Sequence, residues 1–580
     1  SVALFTDGVF IGKGRLYSTS FFDVDRMEFI KGTQSTLLGK NASLGAVSVV
    51  THQPGDKLSF EGRAGYEVEH GGYTIDAAGD MPIGDGTALR LAAHYNDLDG
   101  WVKNDVTGKE GPIRKDLGLR AILRSDVSDN LRLTASYQYA NNRQIGASYQ
   151  IVGAVPANLG DPLLNDHTAQ FTSLTNNGDT FHRTRSHIAS LKAELDLGSH
   201  PLISQTSSIH YKLLFLDDFD FTPEDTFNLT RNEKYRQFSE ELRIQSPTGE
   251  ALEYMAGVFF LDNHWNSQEL QGWAVPAFPP PPDPASGQLF NGPFLNSFVQ
   301  DSKAFSVFAS GTYRFTDNFR VAGGVRYTRE EKDVVFGRTQ LTPATVWNSI
   351  ANPPFDPTPL SHNSDFYDGN ISLQYDLNRN VMAYVSFGHG SKAGGFVETN
   401  TIAVPPPALV NGKVPAALVA AGASIKDEKT KTYEVGLKTT LLDRKLRFNI
   451  AGFWSDIKNF QDTVFTGGPL GFITFNGPSR SRGVEIETAL QATHELRFDG
   501  GLTYADATGV IQPIDPATSA PQVDGSGNPV YGRYRRSQAP KLIFNIGANY
   551  TTALNDAMDF HIDAGLRHRS SMYNQRQELF

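Results

Sequence analysis

The stretch Phe305-Ser-Val-Phe-Ala-Ser-Gly-Thr-Tyr-Arg-Phe315 decides how the chain is read. Phe305, Val307, Ala309, Tyr313 and Phe315 fall on one parity; Ser306, Ser310, Thr312 and Arg314 fall on the other, with Phe308 as the exception. Period two places the two sets on opposite faces of a strand, whereas a helix needs apolar spacings of three and four. After Thr316-Asp-Asn the pattern resumes, with Val321, Val325 and Tyr327 opposed by Arg320, Arg326 and Thr328. Tyr433, Val435, Leu437 and Leu441 oppose Glu434, Lys438 and Thr440 in the same way, and Leu446, Phe448, Ile450 and Trp454 oppose Arg447, Asn449 and Ser455.

Extended along the chain, this pattern predicts nineteen strands between residues 58 and 571. Their connections alternate. Short ones (Ile83–Asp85, Val127–Asp129, Pro247–Glu250, Leu377–Asn378, Asp443–Arg444) are separated by long ones (Arg143–His182, Trp265–Asp301, Asp333–Asn363, Lys392–Glu428, Thr508–Ala539). Glu69–Gly72 is the short exception. Antiparallel neighbours with two different ends, and strands of ~10 residues, suit an outer-membrane barrel with short periplasmic turns and long external loops. A soluble propeller is the alternative, but it needs a recurring blade signature every ~40–50 residues, and none is present.

Composition agrees. The 580 residues include 54 Gly, 38 Phe and 21 Tyr but only 6 Met, a mix that favours strands and turns. With no cysteine, disulfides, thiolate metal sites and cysteine nucleophiles are excluded. A net charge of −11 argues against nucleic acid as a partner. No run approaches the ~20 apolar residues of a spanning helix. The mean hydropathy of −0.33 still allows a barrel, since only an outward band of ~25 Å must be apolar. The 14 histidines are scattered without metal-ligand spacing, so no metal and no cofactor are expected. No Gly-x-Ser-x-Gly elbow occurs, and no catalytic residue is assigned; the chain is not read as an enzyme.

Residues 1–56 read differently. Val2–Phe5 and Val9–Ile11 flank an Asp7-Gly8 turn, Met27–Ile30 and Ala46–Thr51 form two more strands, and Gly32, Gly39 and Gly45 mark turns. Such a piece is too small to bury a core alone. It retains Asp7-Gly8-Val9, Arg26, Glu28, Gly32, Gln34, Thr36-Leu37, Gly39, Asn41-Ala42, Gly45-Ala46 and Thr51. On these residues it resembles the C-terminal part of the plug of a TonB-dependent outer-membrane receptor. Lys31, Thr33, Ser35, Leu38 and Leu44 depart from the family's Arg, Pro, Gly, Tyr and Gly. Phe238-Ser-Glu-Glu-Leu-Arg-Ile244, the run Val381–Phe396, the run Glu428–Gln461 and the run Asn476–Glu487 resemble the family's barrel elements.

The resemblance implies an all-β transmembrane barrel, antiparallel, with about 19 of an expected 22 strands, around a small α/β plug fragment in the lumen. Residues 1–56 would be the end of the plug and 57–580 a barrel incomplete at its C-terminus, with the TonB-contacting segment upstream. The expected location is the bacterial outer membrane, the expected state a monomer among lipids. The implied function is TonB-dependent import of a ferric siderophore. Another large nutrient, an oligosaccharide or a corrinoid, is the alternative; a passive porin would lack the plug. Arg15, Leu16 and Tyr17 are the expected ligand contacts at the plug apex, since arginine can pair with an anionic chelate and tyrosine offers a rigid face; packing within the plug is the alternative for Leu16 and Tyr17. Lys31 on the plug is expected to face Glu434 and Glu485 on the barrel, either paired or separately solvated. Trp265, Trp273 and Phe278, in one expected loop, are candidate mouth aromatics that keep the sugar option open. The proline-rich run Ala274–Ala285 is read as an exposed loop or a stiff arm.

Overall fold

The computed structural model describes residues 2–19, 21–33, 35–36, 38–39, 41–103, 110–146, 180–218, 227–275, 290–291, 293–341, 353–399, 408–465, 472–511, 525–526, 532–556 and 558–573. Among these, twenty-one strands form the ring of one closed barrel; two of them, Phe290–Asn291 and Gly532–Arg535, are short additions, and nineteen carry the wall. All wall neighbours are antiparallel and follow chain order, as in Leu131–Ile145 against Phe181–Asp196 and Phe294–Arg314 against Phe319–Gln340. The ring closes between Ser59–Tyr66 and Met558–Arg569. Both of these strands are exposed along their whole length and have register partners on one side only, so this seam is the least paired part of the described wall.

The parity read from the sequence is the parity of the wall. Phe305, Val307, Tyr313 and Phe315 are exposed on the outside, while Ser302, Ala304, Ser306 and Phe308 are buried within. Ser306 and Thr328 share a hydrogen bond of 2.9 Å on the inner face. Tyr367 is 76% exposed, Val325 67% and Val435 62%. Exposed area on such side chains disfavours contact with water at about 25 cal/mol per Å², whereas lipid accepts it. Closure satisfies the backbone within lipid without help from side chains. No helix among the described residues is long and apolar enough to cross a membrane.

Several strands run well past the expected boundaries. Leu252–Val275 and Phe355–Asn378 each span 24 residues and Phe319–Gln340 spans 22. Much of the expected loops Trp265–Asp301 and Asp333–Asn363 is therefore sheet. Above the lipid band both faces are wet, so polar residues occupy both parities and the alternation that marks a strand fades. The proline-rich segment lies outside the described residues apart from Ala274 and Val275, which end the strand Leu252–Val275.

Residues 2–51 form a separate four-stranded sheet in the order Val9–Phe10, Val2–Thr6, Gly45–Thr51, Val24–Lys31. Val2–Thr6 and Gly45–Thr51 are parallel. An α/β piece was expected; among the described residues this one has only a 3₁₀ turn, Gly14–Thr19, between its strands. Asp7 (φ 48°) and Gly8 (φ 84°) make the tight turn. The Asp7 carboxylate also accepts from the Thr51 amide (2.8 Å) and hydroxyl (2.7 Å), tying the first turn to the last strand.

Candidate functional site

The small sheet sits in the lumen as a plug. Leu4, Val9, Ile11, Leu16 and Val49 share one buried cluster with Ile188, Ile209, Tyr211 and Tyr235 of the wall. Four wall glycines face the plug closely. A Cβ on Gly324 would lie 2.5 Å from Thr36 Cγ2, one on Gly388 2.9 Å from Thr33 Cβ, one on Gly390 2.5 Å from Ser35 Oγ, and one on Gly118 2.7 Å from the Phe22 ring. The Gly388-His389-Gly390 element thus has a seating role: its bare backbone lets Thr33 and Ser35 of the plug approach.

Ion pairs anchor the plug on two sides. On one, wall Arg90 holds plug Asp23 at 2.5 Å, with Glu61 at 2.6 Å and Asp80 at 3.1 Å; the Arg90 and Asp23 side chains are only 5% and 6% exposed. Arg120 donates to the Phe22 carbonyl (2.9 Å) and to Gln138 and lies over the Phe22 ring. On the other, Lys31 meets Glu485 at 2.8 Å and Glu487 at 2.9 Å, with Lys31 48% and Glu487 60% exposed. Glu434, expected beside Lys31, accepts from Tyr384 at 2.5 Å. Arg90, Arg120 and Asp23 were not singled out from the sequence. Inward parity on the wall strands was their available signal; the expected polarity, plug cation to wall carboxylate, pointed elsewhere.

At the apex the expected contacts separate. Arg15 points to the wall and pairs with Glu233 at 3.3 Å, while Glu233 also accepts from Tyr211 at 2.9 Å. Leu16 is corrected: it is fully buried in the plug–wall cluster, because the 3₁₀ turn directs this apolar side chain inward, and no ligand can reach it without rearrangement. Tyr17 is part-exposed, its hydroxyl 3.4 Å from the Val2 carbonyl, and burial raises its pKa. The loop placement expected for Trp265 is corrected too. The residue lies within strand Leu252–Val275, packs on Phe298, and has Lys13 Nζ of the plug 3.2 Å from its ring centroid. Trp273 is on the same strand, opposite Phe227. Phe278 lies outside the described residues.

A cavity of about 180 Å³ lies between the plug apex and a cover formed by residues 393–399 and 408–427. Phe10, Gly12, Lys13 and Asn41 line it from the plug, Asn263, Gln300, Lys332 and Lys392 from the wall, and Gly394 and Phe396 from the covering segment. The cover is itself built. Val397–Glu398 follow a short pair, Gly395–Phe396 with Ser424–Ile425. The helix Ala416–Ala423 starts after Pro415, whose fixed φ suits a helix start, and its five alanines and Leu418 favour it against Val419 and Gly422. Its Val419 and Ala423, with Val414, pack on Phe298, Val334, Phe336, Phe355 and Leu360 of the extended strands. At its foot Asp427 accepts from Gly394 N (2.8 Å) and Ser364 (2.7 Å) and faces His362 (2.9 Å), and these partners hold its pKa low against the desolvation of burial. Glu398 reaches Arg231 at 3.5 Å, and Arg231 also pairs with Glu269 and, at 3.7 Å, with Glu233. Burial pushes the Glu398 carboxyl pKa up; Arg231 opposes this and Glu269 and Glu233 add to it.

A plug of this topology, tied into a barrel of this order, decides the family when set beside known proteins. The barrel family described as TonB dependent receptor-like matches residues 17–578. The chain belongs to the TonB-dependent receptor family. This family comprises receptors and transporters of the outer membrane, and the barrel is an outer-membrane protein. The pesticin receptor of Yersinia enterocolitica is 25% identical over 479 residues, covering 80% of this chain and 60% of its own length. The catecholate siderophore receptor Fiu of Escherichia coli K12 is 23% identical over 604 residues, covering 96% and 72%. The chain thus spans about 60% of the length of the pesticin receptors it matches. Among solved structures, the ferric yersiniabactin uptake receptor FyuA of Yersinia pestis superposes with a TM-score of 0.72 at 15% identity, covering all of this chain and 79% of that one. The siderophore receptor PiuA of Acinetobacter baumannii gives 0.69 at 16%, covering 98% and 80%. At these identities the superpositions establish the shared receptor fold.

Proposed function

We propose that this receptor imports an anionic chelate, of the ferric siderophore class, by TonB-driven rearrangement of the plug. The observation that carries this is the covered cavity at the plug apex. Lys13 on the plug, Lys332 and Lys392 on the wall and the neutral donors of Asn263 and Gln300 converge on it. Lys332 is paired with Glu330 at 3.1 Å, so it is the ammonium groups of Lys13 and Lys392 on a low-dielectric wall that favour a negatively charged ligand over a neutral one. Relatives described as siderophore receptors support the same class. The cavity is smaller than the ~300–1,000 Å³ of ordinary ligand sites, so the cover formed by residues 393–399 and 408–427 must lift for a siderophore to enter. The plug seated in the lumen weighs against a passive pore. Lys13, set over the Trp265 ring, weighs against sugar stacking there.

The test is growth of a deletion strain on defined ferric siderophores, paired with binding to the intact receptor. The expected result is loss of growth on at least one iron source, restored by the wild-type gene but not by a Lys13→Gln/Lys332→Gln/Lys392→Gln variant. Unimpaired growth on every iron source with lost growth on one glycan would assign the receptor to sugar uptake instead.

A further inference from the structure

At the external ends of two neighbouring wall strands, Phe181–Asp196 and Pro201–Asp218, three polar side chains turn to the lumen together. Asp217 follows the inward parity of Tyr211, Leu213 and Phe215, and its side chain is 3% exposed. His182 is directly opposite Phe215 in the register, and the two rings stack at 4.1 Å and 16°. Thr180 is two residues before His182, on the same face, and is buried. Its carbonyl accepts from Gly146 N at 2.8 Å, which carries the sheet up to it. Since Phe181 is opposite Leu216, Thr180 comes opposite Asp217.

Among the described residues, Asp217 Oδ1, His182 Nε2 and Thr180 Oγ1 have no hydrogen-bond partner. Asp217 Oδ2 and His182 Nε2 are 3.6 Å apart, beyond the reach of a hydrogen bond. Buried polar atoms left in this state are costly. Comparable pairs elsewhere are answered. His94 meets Asp76 at 2.6 Å, and His362 meets Asp427 at 2.9 Å. Asp368, 3.5 Å from His389, has Arg326 opposite it in the register. Opposite Asp217 are Thr180 and Leu229. Arg15, with its guanidinium 6.0 Å from the Phe215 ring, is paired with Glu233.

The 3.6 Å separation is one that two ligands of a single ion adopt. An ion ~2.1 Å from each atom would see them at about 120°, near the tetrahedral angle. The stack on Phe215 fixes the imidazole, and the Thr180 hydroxyl lies on the same side. His182 is 29% exposed, which leaves a way in from the lumen and room for water as a further ligand. Imidazole with carboxylate suits a borderline divalent ion such as zinc better than magnesium or calcium. Among the described residues no three His, Cys, Asp or Glu stand together, so two strong ligands hold the ion and binding is micromolar rather than nanomolar.

We propose that His182, Asp217 and Thr180 form a divalent transition-metal site that clips the two strand ends together beside the plug apex. The spacing of the histidines in the sequence does not show it, because the ligands meet through strand register and not through a local motif. The inference rests on side-chain geometry, not on the import reading.

The test uses the intact receptor, without a polyhistidine tag, refolded in non-ionic detergent and dialysed against micromolar zinc. Bound zinc is counted by elemental mass spectrometry, and affinity is read by competition with a chromophoric chelator. The wild type should hold one zinc more than His182→Gln or Asp217→Asn. Either substitution should weaken that zinc on the order of tenfold or more, at least what the loss of an outer partner costs a metal site. His389→Gln, at the pair that Arg326 already serves, should keep it. Millimolar magnesium should not displace it, and X-ray absorption at the zinc edge should show an imidazole in the wild type that His182→Gln lacks. Heat-modifiable gel mobility reports that each barrel is intact, and the two ligand variants read the same ion independently should one of them not refold. Equal zinc in the wild type and the folded ligand variants, displacement by magnesium, or an equal loss in His389→Gln would each overturn the proposal.

Discussion

The plug is held against the wall in two chemically different ways. Around Asp23 the contact is mostly dry: Arg90 gathers buried Asp23 and largely buried Asp80, with Glu61 open to water at the edge, and Arg120 caps the Phe22 carbonyl and ring. Around Lys31 it is wet: one ammonium shared by Glu485 and Glu487, with half of the lysine open to water. Water decides what each is worth. A buried pair is weak evidence for stability when intact, but losing one partner leaves a charge that nothing solvates. A half-exposed pair is screened and contributes ~0–1 kcal/mol. The dry side therefore positions the plug, while the wet side can open at little cost.

The largest expected effect comes from breaking the dry side. Arg90→Gln leaves Asp23 with only the more distant Arg120, at 4.0 Å, and Asp80 without a guanidinium, and should cost about 3 kcal/mol of plug docking, read as faster proteolysis of the plug in an intact barrel. Equal protease resistance would erase the distinction between the two sides.

Shape comes next. Gly390→Ala places a methyl against Ser35 and Thr33, and overpacking of this kind costs ~1–3 kcal/mol. Thermal unfolding should show it, with a smaller loss when Ser35→Gly is added.

The cover over the apex is a third contact. Glu398→Gln keeps the shape and removes a carboxylate whose ionisation the covered state disfavours, while Arg231 retains Glu269 and Glu233, so at neutral pH the covered state should gain about 1–2 kcal/mol rather than lose. The pH response has a definite sign. A carboxyl whose pKa is raised in the covered state holds its proton more tightly there, so acidification favours the covered state and rising pH weakens it. The window lies above the ordinary glutamate range. A spin-label distance between residue 411 and the wall should shorten as pH falls through it, and Glu398→Gln should flatten that response.

Lys31→Gln should change least, ~0–1 kcal/mol in the same proteolysis assay. A loss as large as that of Arg90→Gln would make the wet side a lock as well.

Local pattern was enough for the wall. Phe305, Val307, Tyr313 and Phe315 face outward as their parity demands, and the Asp7-Gly8 turn, Gly32, Gly39 and Gly45 adopt the positive φ that their spacing suggested. It was not enough for the upper strands, where water on both faces removes the alternation, nor for Leu16 and Trp265, whose neighbours come from distant strands.

The sequence by itself determined that this chain is a barrel, because lipid enforces one rule on every other residue of every strand, and such a rule is readable within ten residues; the plug segment was legible only through its resemblance to the receptor family. Only the tertiary structure decided who meets whom. Lys31 and Glu485 are 454 positions apart and Asp23 and Arg90 are 67. Their meeting depends on strand register summed around the ring and on where the plug comes to rest, and no local pattern encodes either.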